Sequence, residues 1–464
     1  ITPGIPRYNG QPGNGNQLQA GETHCKQRAA SPKSALSRMK REDFSKGFVW
    51  GSAVSSLQTE GYPREGGRGT GIWEHFYDQD PKRIQHTQGD PFRGCGSYRL
   101  YPQDIALLAA AGFRHYRFSL SWPRIMPSGS KYLNKRGLAY YNVMIDHMLA
   151  RGITPWITLY HWDLPQALQE KGGWQKRDII HRLEEFAYVA GRYFGDRVKN
   201  WMVLNEPSVF TGAGYLLGIH APGVRGLDPF LHAAHHAVLA QAAGARVLRE
   251  TVADAHIGTT FSWTHFEPLS QASYHRKAAD RLDALINRYF LEPALGMGYP
   301  AEAARILHRL GHQLAPYDNR LMAFDFDFIG IQAYTRQIAA AAPWQPVIRS
   351  RIIPAEKRKV PLTAMQWEDH PEALGKTLLA LHRRYPQLPP VYVTENGIGL
   401  EEVPGDLNDT RRIAYYRKAI ESMQQAMQQG ANVQGYFAWS LLDNLEWAEG
   451  YKPKFGLVQV DFNN

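Results

Sequence analysis

The chain has 464 residues, 44% of them hydrophobic, enough for a large core. It carries a formal net charge of +10, but Lys and Arg are spread thinly, with no stripe and no nucleic-acid motif, so no nucleic-acid partner is expected. The densest basic group, RSRIIPAEKRK from Arg349 to Lys359, reads as a solvated loop, and no run of about 18 apolar residues suggests a membrane helix.

Two cysteines, Cys25 and Cys95, exclude a disulfide framework and a cysteine zinc site. Free thiols in a reducing compartment are favoured over a single bridge. No signal-peptide core precedes the first strand, which points to a cytoplasmic location. The chain begins with Ile, however, and this leaves open a leader removed before residue 1.

Residues 1–43 are rich in Pro, Gly, Asn and Gln without apolar periodicity, an extension expected to be disordered or draped on the surface. From residue 44 to 464 short apolar runs alternate with amphipathic stretches. The expected strands are Phe48–Ser56, His115–Trp122, Thr154–His161, Asn200–Glu206, His256–Trp263, Phe326–Tyr334, Val391–Glu395 and Val433–Leu441. Between them, spacing near 3.6 predicts helices over Pro102–Ala111, Lys135–Arg151, Lys176–Tyr193, Pro229–Glu250, Tyr274–Leu295, His370–Arg384 and Asp409–Gln429.

Nearly continuous apolar strands separated by helices indicate an α/β fold with a parallel sheet covered on both faces. The count of eight, and no glycine-rich phosphate loop after the first strand, favour a single (β/α)8 TIM barrel over an open doubly wound sheet. Gln58, Arg117, His161, Asn205, Glu206, Tyr334, Glu395 and Trp439 fall at the C-terminal ends of these strands. In a barrel those ends converge on one mouth, where active sites sit.

Glu206 (in VLNEPS) and Glu395 (in VTENGIG) are far apart in sequence, yet barrel closure would bring both to that mouth. Two carboxyls in one aromatic-lined pocket suit glycoside hydrolysis, where one protonates the leaving oxygen and the other attacks the anomeric carbon or activates water. For a lone Glu, pairing with a structural Arg or Lys would be the better reading; a pair in this setting reverses that. HAAHHAV, with His235 and His236, resembles a metal tract only superficially. No third ligand is placed, so both are read as structural and no metal or cofactor is expected.

The chain resembles glycoside hydrolase family 1, the retaining β-glucosidases and their relatives, from about Phe48 to Asp461. FVWGSAVSSLQTEG, YRFSLSWPRI, TLYHWDLPQAL, NEP, TENG and WSLLDNLEWAEGY carry the resemblance, in the family's order. It implies Glu206 as acid/base and Glu395 as the nucleophile of a double displacement. Arg117 and Tyr334 would support Glu395, and Asn205 would bind the sugar 2-OH. Gln58, His161, Trp439, Glu446 and Trp447 would form the glycone pocket, with Trp367 on the +1 side. Positions at strands four and seven imply carboxyls about 5 Å apart, the spacing for retention.

A carboxylate at 446 would accept from the 4-OH and 6-OH and repel a 6-phosphate. Glu rather than Gln at 206 argues against thioglucosidase-type relatives. Substrates are expected to be small β-glucosides or short oligosaccharides, as in cellulose degradation, with β-galactosides and β-fucosides as further candidates. For Trp174, packing and a place on the cleft rim are equally expected. A catalytically silent sugar-binding barrel is the alternative; a metal-dependent isomerase or aldolase would need a phosphate loop, a Schiff-base Lys or strand-end ligands that are not seen.

Two departures from the family stand out. Gln332-Ala333-Tyr334 replaces the usual Asn-Tyr-Tyr, which keeps an amide one methylene longer and removes an aromatic. After FGLVQVDF the chain stops at Asn464, without the last helix the resemblance implies. The first and eighth strands are therefore expected to be less covered, with the N-terminal extension or homo-oligomerisation as compensation.

Overall fold

The computed structural model describes residues 7–9, 40–87, 90–303, 308, 314–345, 348–401 and 408–462. The expectation for residues 1–43 thus lies mostly outside the described residues. Eight strands close a parallel barrel: β1 (Val49–Ala53), β2 (His115–Ser119), β3 (Thr154–Tyr160), β4 (Asn200–Asn205), β5 (His256–Ser262), β6 (Phe328–Gln332), β7 (Val391–Asn396) and β8 (Val433–Trp439). Each pairs with its sequence neighbours, and β8 pairs with β1 to complete the ring. The eight-stranded barrel inferred from sequence is the observed fold.

The barrel lumen is packed, as expected for eight strands. Val49, Ala53, Trp156, Met202, Phe328 and Phe437 form its own cluster, separate from the larger core between strands and helices. Glycines make room for the rings. A Cβ at Gly51 would lie 2.5 Å from the Phe437 ring, and one at Gly258 would lie 2.4 Å from that of Phe328. Outside run α1 (Ser97–Ala110), α2 (Lys135–Ala150), α3 (Asp178–Phe194), α4 (Leu227–Thr251), α5 (Ser273–Asp283), α6 (Tyr289–Ala294), α7 (Ala373–Arg384) and α8 (Thr410–Gln428). The single helix expected over Tyr274–Leu295 is α5 and α6, joined by a widened turn at Ala284–Arg288. Asn287 there turns inward to exchange two hydrogen bonds with the Thr264 backbone. Among the described residues no helix is long and apolar enough to cross a membrane.

Two other expectations need correction. Arg349–Lys359 is not simply a solvated loop: Ser350–Ile353 pairs antiparallel with Arg336–Ala341, which runs parallel to His265–Pro268 in a small three-stranded sheet. Arg281 fastens this edge through the Ile348 carbonyl and Ser350 Oγ. The outer face of β1 and β8 is also better covered than expected. Phe44 meets Trp50 edge-on at 5.0 Å and Phe48 meets it tilted at 4.8 Å, and Trp50 in turn meets Tyr436 of β8 at 6.0 Å. Strand Gln459–Asp461 pairs in parallel with Arg7–Asn9.

The lumen packing makes a stability prediction. Trp156 touches Phe328, Tyr392 and Phe437 at 5.1–5.6 Å and donates from Nε1 to His115 Nδ1 at 3.1 Å. Trp156→Ala should cost about 3–5 kcal/mol in denaturant unfolding. Tyr317→Ala, at a side chain 69% exposed, should stay within about 0.5 kcal/mol. Equal effects would contradict a load borne by the lumen cluster.

Candidate active site

Arg117 projects from β2 into the lumen and is wholly buried. Its Nη1 donates to Glu395 Oε1 and its Nη2 to Asn205 Oδ1. Its Nε donates to Thr158 Oγ1 of β3 at 3.1 Å. The other Glu395 oxygen accepts from the Tyr334 hydroxyl at 2.7 Å. One guanidinium thus links strands β2, β3, β4 and β7 around a single carboxylate. An arginine beside a buried carboxylate with a second donor favours its ionised form.

Slips in the barrel register aim these groups. Met202 belongs to the lumen cluster, so strict alternation would next turn Leu204 inward; instead Leu204 packs outside. The pairing with β5 shifts between Met202 and Asn205, and Asn205 faces Arg117. On β7, Tyr392 packs with the lumen cluster and Val393 lies outside. The register with β6 then slips between Val393 and Glu395, and Glu395 meets Arg117. Such local irregularities re-aim side chains at strand ends.

Glu206 follows β4 directly. Its backbone is left-handed, φ 47° and ψ 65°, although it is not glycine and precedes Pro207. This conformation is costly, on the order of 1–3 kcal/mol, and persists where the surroundings enforce it. Here the Glu206 N–H donates to the Thr260 carbonyl at 2.9 Å, and its own carbonyl accepts from Val209 N at 2.9 Å. The carboxyl is buried beside Ser262 and receives no cationic hydrogen bond among the described residues. Burial first, then the Glu395 charge, pushes it up to about 8. Burial raises Glu395 as well, but Arg117, Tyr334 and Gln332 oppose it. The two carboxyls therefore sit in unequal fields, Glu395 the stronger acid.

The wall between them is aromatic. His161, one residue past β3, lies 6.0 Å from Trp439 and 5.8 Å from Trp447, ring over ring. Its Nε2 meets the Asn205 amide nitrogen at 3.1 Å; that nitrogen donates, so His161 is neutral with its hydrogen on Nδ1. Burial and then Arg117 lower its pKa well below the usual histidine value, in keeping with that form. Among the described residues Nδ1 is buried without a partner, as is Glu446 Oε1. Both are groups that a ligand hydroxyl would satisfy.

Gln58 is less free than its expected role suggests. It sits not on β1 but in the helical turn Ser56–Thr59. Its Nε2 donates to Asn444 Oδ1 and the Leu445 carbonyl at 2.9 and 2.7 Å, and its Oε1 accepts from Ser55 at 2.6 Å. Trp367 is half-buried, 5.6 Å from Tyr334 and 6.5 Å from Phe455. Trp174 is core: fully buried, bonded to the Tyr160 hydroxyl at 3.1 Å and packed on Phe210. His235 bridges Tyr299 and Asp318, and His236 binds the Trp174 carbonyl. Cys95 is a free, buried thiol donating to the Asp443 carbonyl, while Cys25 lies outside the described residues.

Trp162 was not among the expected site residues. Its Nε1 donates to the Asn205 carbonyl at 2.9 Å, and its ring packs 4.3 Å from Trp447. The adjacency to His161 in HWD was the available signal. A left-handed backbone, φ 74°, turns Trp162 inward beside His161, which strand alternation does not anticipate.

A parallel barrel whose mouth holds two carboxyls of unequal acidity within an indole wall is the frame of a glycoside hydrolase. The chain belongs to glycosyl hydrolase family 1, whose family model matches residues 40–464. It is 40% identical to a 1,4-beta-D-glucan glucohydrolase of Thermotoga neapolitana over 90% of this chain and 98% of that protein. It is 36% identical to beta-glucosidase 12 of Oryza sativa subsp. indica, covering 91% and 89% of the two. Among solved structures it resembles a Thermotoga maritima family 1 glycoside hydrolase complexed with a cyclophellitol analogue transition state mimic. The TM-score is 0.85 and the identity 39%, over 90% of this chain and 94% of that one. The beta-glucosidase of Thermotoga maritima in complex with deoxynojirimycin gives a TM-score of 0.84 at 38% identity, with the same coverage. The protein is an enzyme, and the alternative of a silent sugar-binding barrel falls away.

The unequal fields are directly measurable. In a carbon-13 NMR titration of labelled glutamate, an apparent pKa near 8 should appear and be assigned to Glu206. In Glu395→Gln it should fall, since a like charge is removed. It should stay above the ordinary carboxylate value, because burial is the larger cause. An unchanged value would contradict the coupling of the two carboxyls.

Proposed function

We propose that the protein is a retaining β-glucosidase in which Glu395 is the nucleophile and Glu206 the acid/base. The single observation that carries this is the asymmetry of the pair: Glu395 accepts from Arg117 and Tyr334, whereas Glu206 is buried without a cation on it. A carboxylate held by two donors is ionised and aimed, as a nucleophile must be. A carboxyl pushed up to about 8 keeps its proton at neutral pH, as a general acid must.

In the first step Glu395 attacks the anomeric carbon while Glu206 gives its proton to the glycosidic oxygen, and the aglycone leaves. The glycosyl ester has no charge at Glu395, so the field on Glu206 drops and its acidity rises. Glu206, now ionised, takes a proton from water as that water attacks the anomeric carbon and frees Glu395. The net configuration is retained. Asn205 binds the 2-OH through its amide nitrogen, and His161 Nδ1 donates to a neighbouring hydroxyl. Glu446, Gln58, Trp439 and Trp447 hold the far edge of the sugar, and Trp367 lines the +1 side. The substrates are small β-glucosides or short oligosaccharides. How Glu446 and Gln58 meet the 4-OH sets activity on β-galactosides and β-fucosides.

Hydrolysis of an aryl β-glucoside tests the assignment. Glu395→Gly should lose on the order of 10⁴-fold or more in kcat, and Glu206→Ala about 10²–10⁴-fold. With added azide, Glu395→Gly should yield the inverted glycosyl azide and Glu206→Ala the retained one. Swapped products, or wild-type rates in Glu395→Gly, would overturn the roles. The pH profile of kcat/KM should fall as pH rises through about 8, where Glu206 loses its proton. A profile flat from 6 to 10 would count against Glu206 as the acid.

A further inference from the structure

Gln332, where this chain departs from the family's usual Asn, is wholly buried at the end of β6. Its backbone carbonyl accepts from Trp263 N at 2.8 Å, which fixes its main chain. In register it stands between Ser262 of β5 and Glu395 of β7. Its side chain reaches past β5 to β4, where Nε2 donates to Asn205 Oδ1 at 2.8 Å, and the same amide also helps hold Glu395 charged.

An asparagine amide presents an oxygen or a nitrogen with almost the same shape, and its neighbours decide which faces where. Arg117 Nη2 is an obligate donor and already faces Asn205 Oδ1. Gln332 supplies the second donor, and the two lone pairs of that oxygen are filled. The Asn205 nitrogen must therefore point the opposite way, where it gives one hydrogen to His161 Nε2 at 3.1 Å. The other hydrogen takes part in no hydrogen bond within the described residues. Gln332 Oε1 is itself buried without a donor among the described residues, so nothing described on that side competes to turn the glutamine amide over.

We propose that Gln332 is a positioning residue that, together with Arg117, locks the Asn205 amide so that its nitrogen reads the substrate's 2-hydroxyl. The inference rests on the function proposed above. The extra methylene is what spans the distance: a side chain shorter by one carbon–carbon bond, about 1.5 Å, draws the amide back to roughly 4 Å from Asn205 Oδ1, beyond hydrogen-bond range. Asn205 is then held by Arg117 alone and loses part of its fixed orientation. The 2-OH contact strengthens in the transition state, so the loss should fall on kcat more than on KM.

The test uses full-length wild type, Gln332→Met and Gln332→Asn, with an aryl β-glucoside and its 2-deoxy counterpart carrying the same leaving group. Methionine keeps the length and removes the donor; asparagine keeps the donor and shortens the reach. Both variants should lose about tenfold or more in kcat/KM on the glucoside. On the 2-deoxy substrate the losses should be smaller by about threefold or more, because there is no hydroxyl left to read and only the Gln332 contact with Glu395, common to both substrates, is removed. The ratio between substrates, and not the activity itself, is the readout. Equal losses on both substrates would mean a merely structural role and overturn the proposal, as would wild-type ratios in both variants. If Gln332→Met does not fold, Gln332→Asn decides alone, and a wild-type ratio there overturns it. A wild type inert toward the aryl β-glucoside would instead overturn the functional reading, a result distinguishable from either outcome.

Discussion

Arg117 and Glu395 meet in the mouth of a packed barrel, and the rest of the site is arranged around that ion pair. Both groups are buried, the guanidinium completely. Removing an ion from water costs several kcal/mol even after relaxation, and only good geometry with further hydrogen bonds repays it. Those further bonds are Tyr334 on the free carboxylate oxygen and Thr158 and Asn205 on the guanidinium. Thr158 and Asn205 recruit β3 and β4, and Tyr334 recruits the loop after β6, so one pair sets the relative placement of β2, β3, β4 and β7. Removing either partner of such a pair typically costs about 3–5 kcal/mol, because an uncompensated charge is left behind. This couples the chemistry to the stability of the barrel.

The pair also creates the difference between the two glutamates. Arg117 is bonded to Glu395 and only acts at a distance on Glu206, so the same cation that fixes one carboxylate leaves the other dominated by burial. The strained backbone at Glu206 belongs to this arrangement, since it turns the residue after β4 back over the mouth where the Glu395 charge is felt. His161 and Asn205 extend the order outward. The guanidinium orients the amide, the amide fixes the imidazole tautomer, and the imidazole keeps a buried Nδ1–H that has no partner among the described residues. A chain of obligate donors and acceptors thus runs from the buried cation to the aromatic wall of the mouth.

Much of this was legible in the sequence because eight apolar runs and their polar ends mark a barrel and its mouth. Glu206, Glu395, Arg117, Tyr334 and Asn205 were named from motifs, and the structure brings all five together. What was not legible has local causes. Alternation alone would have turned Asn205 and Glu395 out of the lumen, and the register slips that return them leave no mark in composition. The small sheet holding Ser350–Ile353 was hidden because the four-residue edge strand sits inside the basic, proline-broken run RSRIIPAEKRK. Trp162 was missed because a left-handed residue breaks the parity used to sort inward from outward. Gln58 was read as a strand-end residue, but a helical turn carries it, and its amide is already committed to Asn444 and Leu445.

The double displacement requires Glu395 to form a covalent bond to the sugar. Incubation with an activated 2-deoxy-2-fluoro-β-glucoside, which slows the second step more than the release of its leaving group, should trap that ester. Mass spectrometry of the intact chain should then show the mass of one fluoroglucosyl group, and peptide mapping should place it on Glu395 within VTENGIG. A label on Glu206, or turnover with no covalent adduct and an α-configured first product, would contradict it.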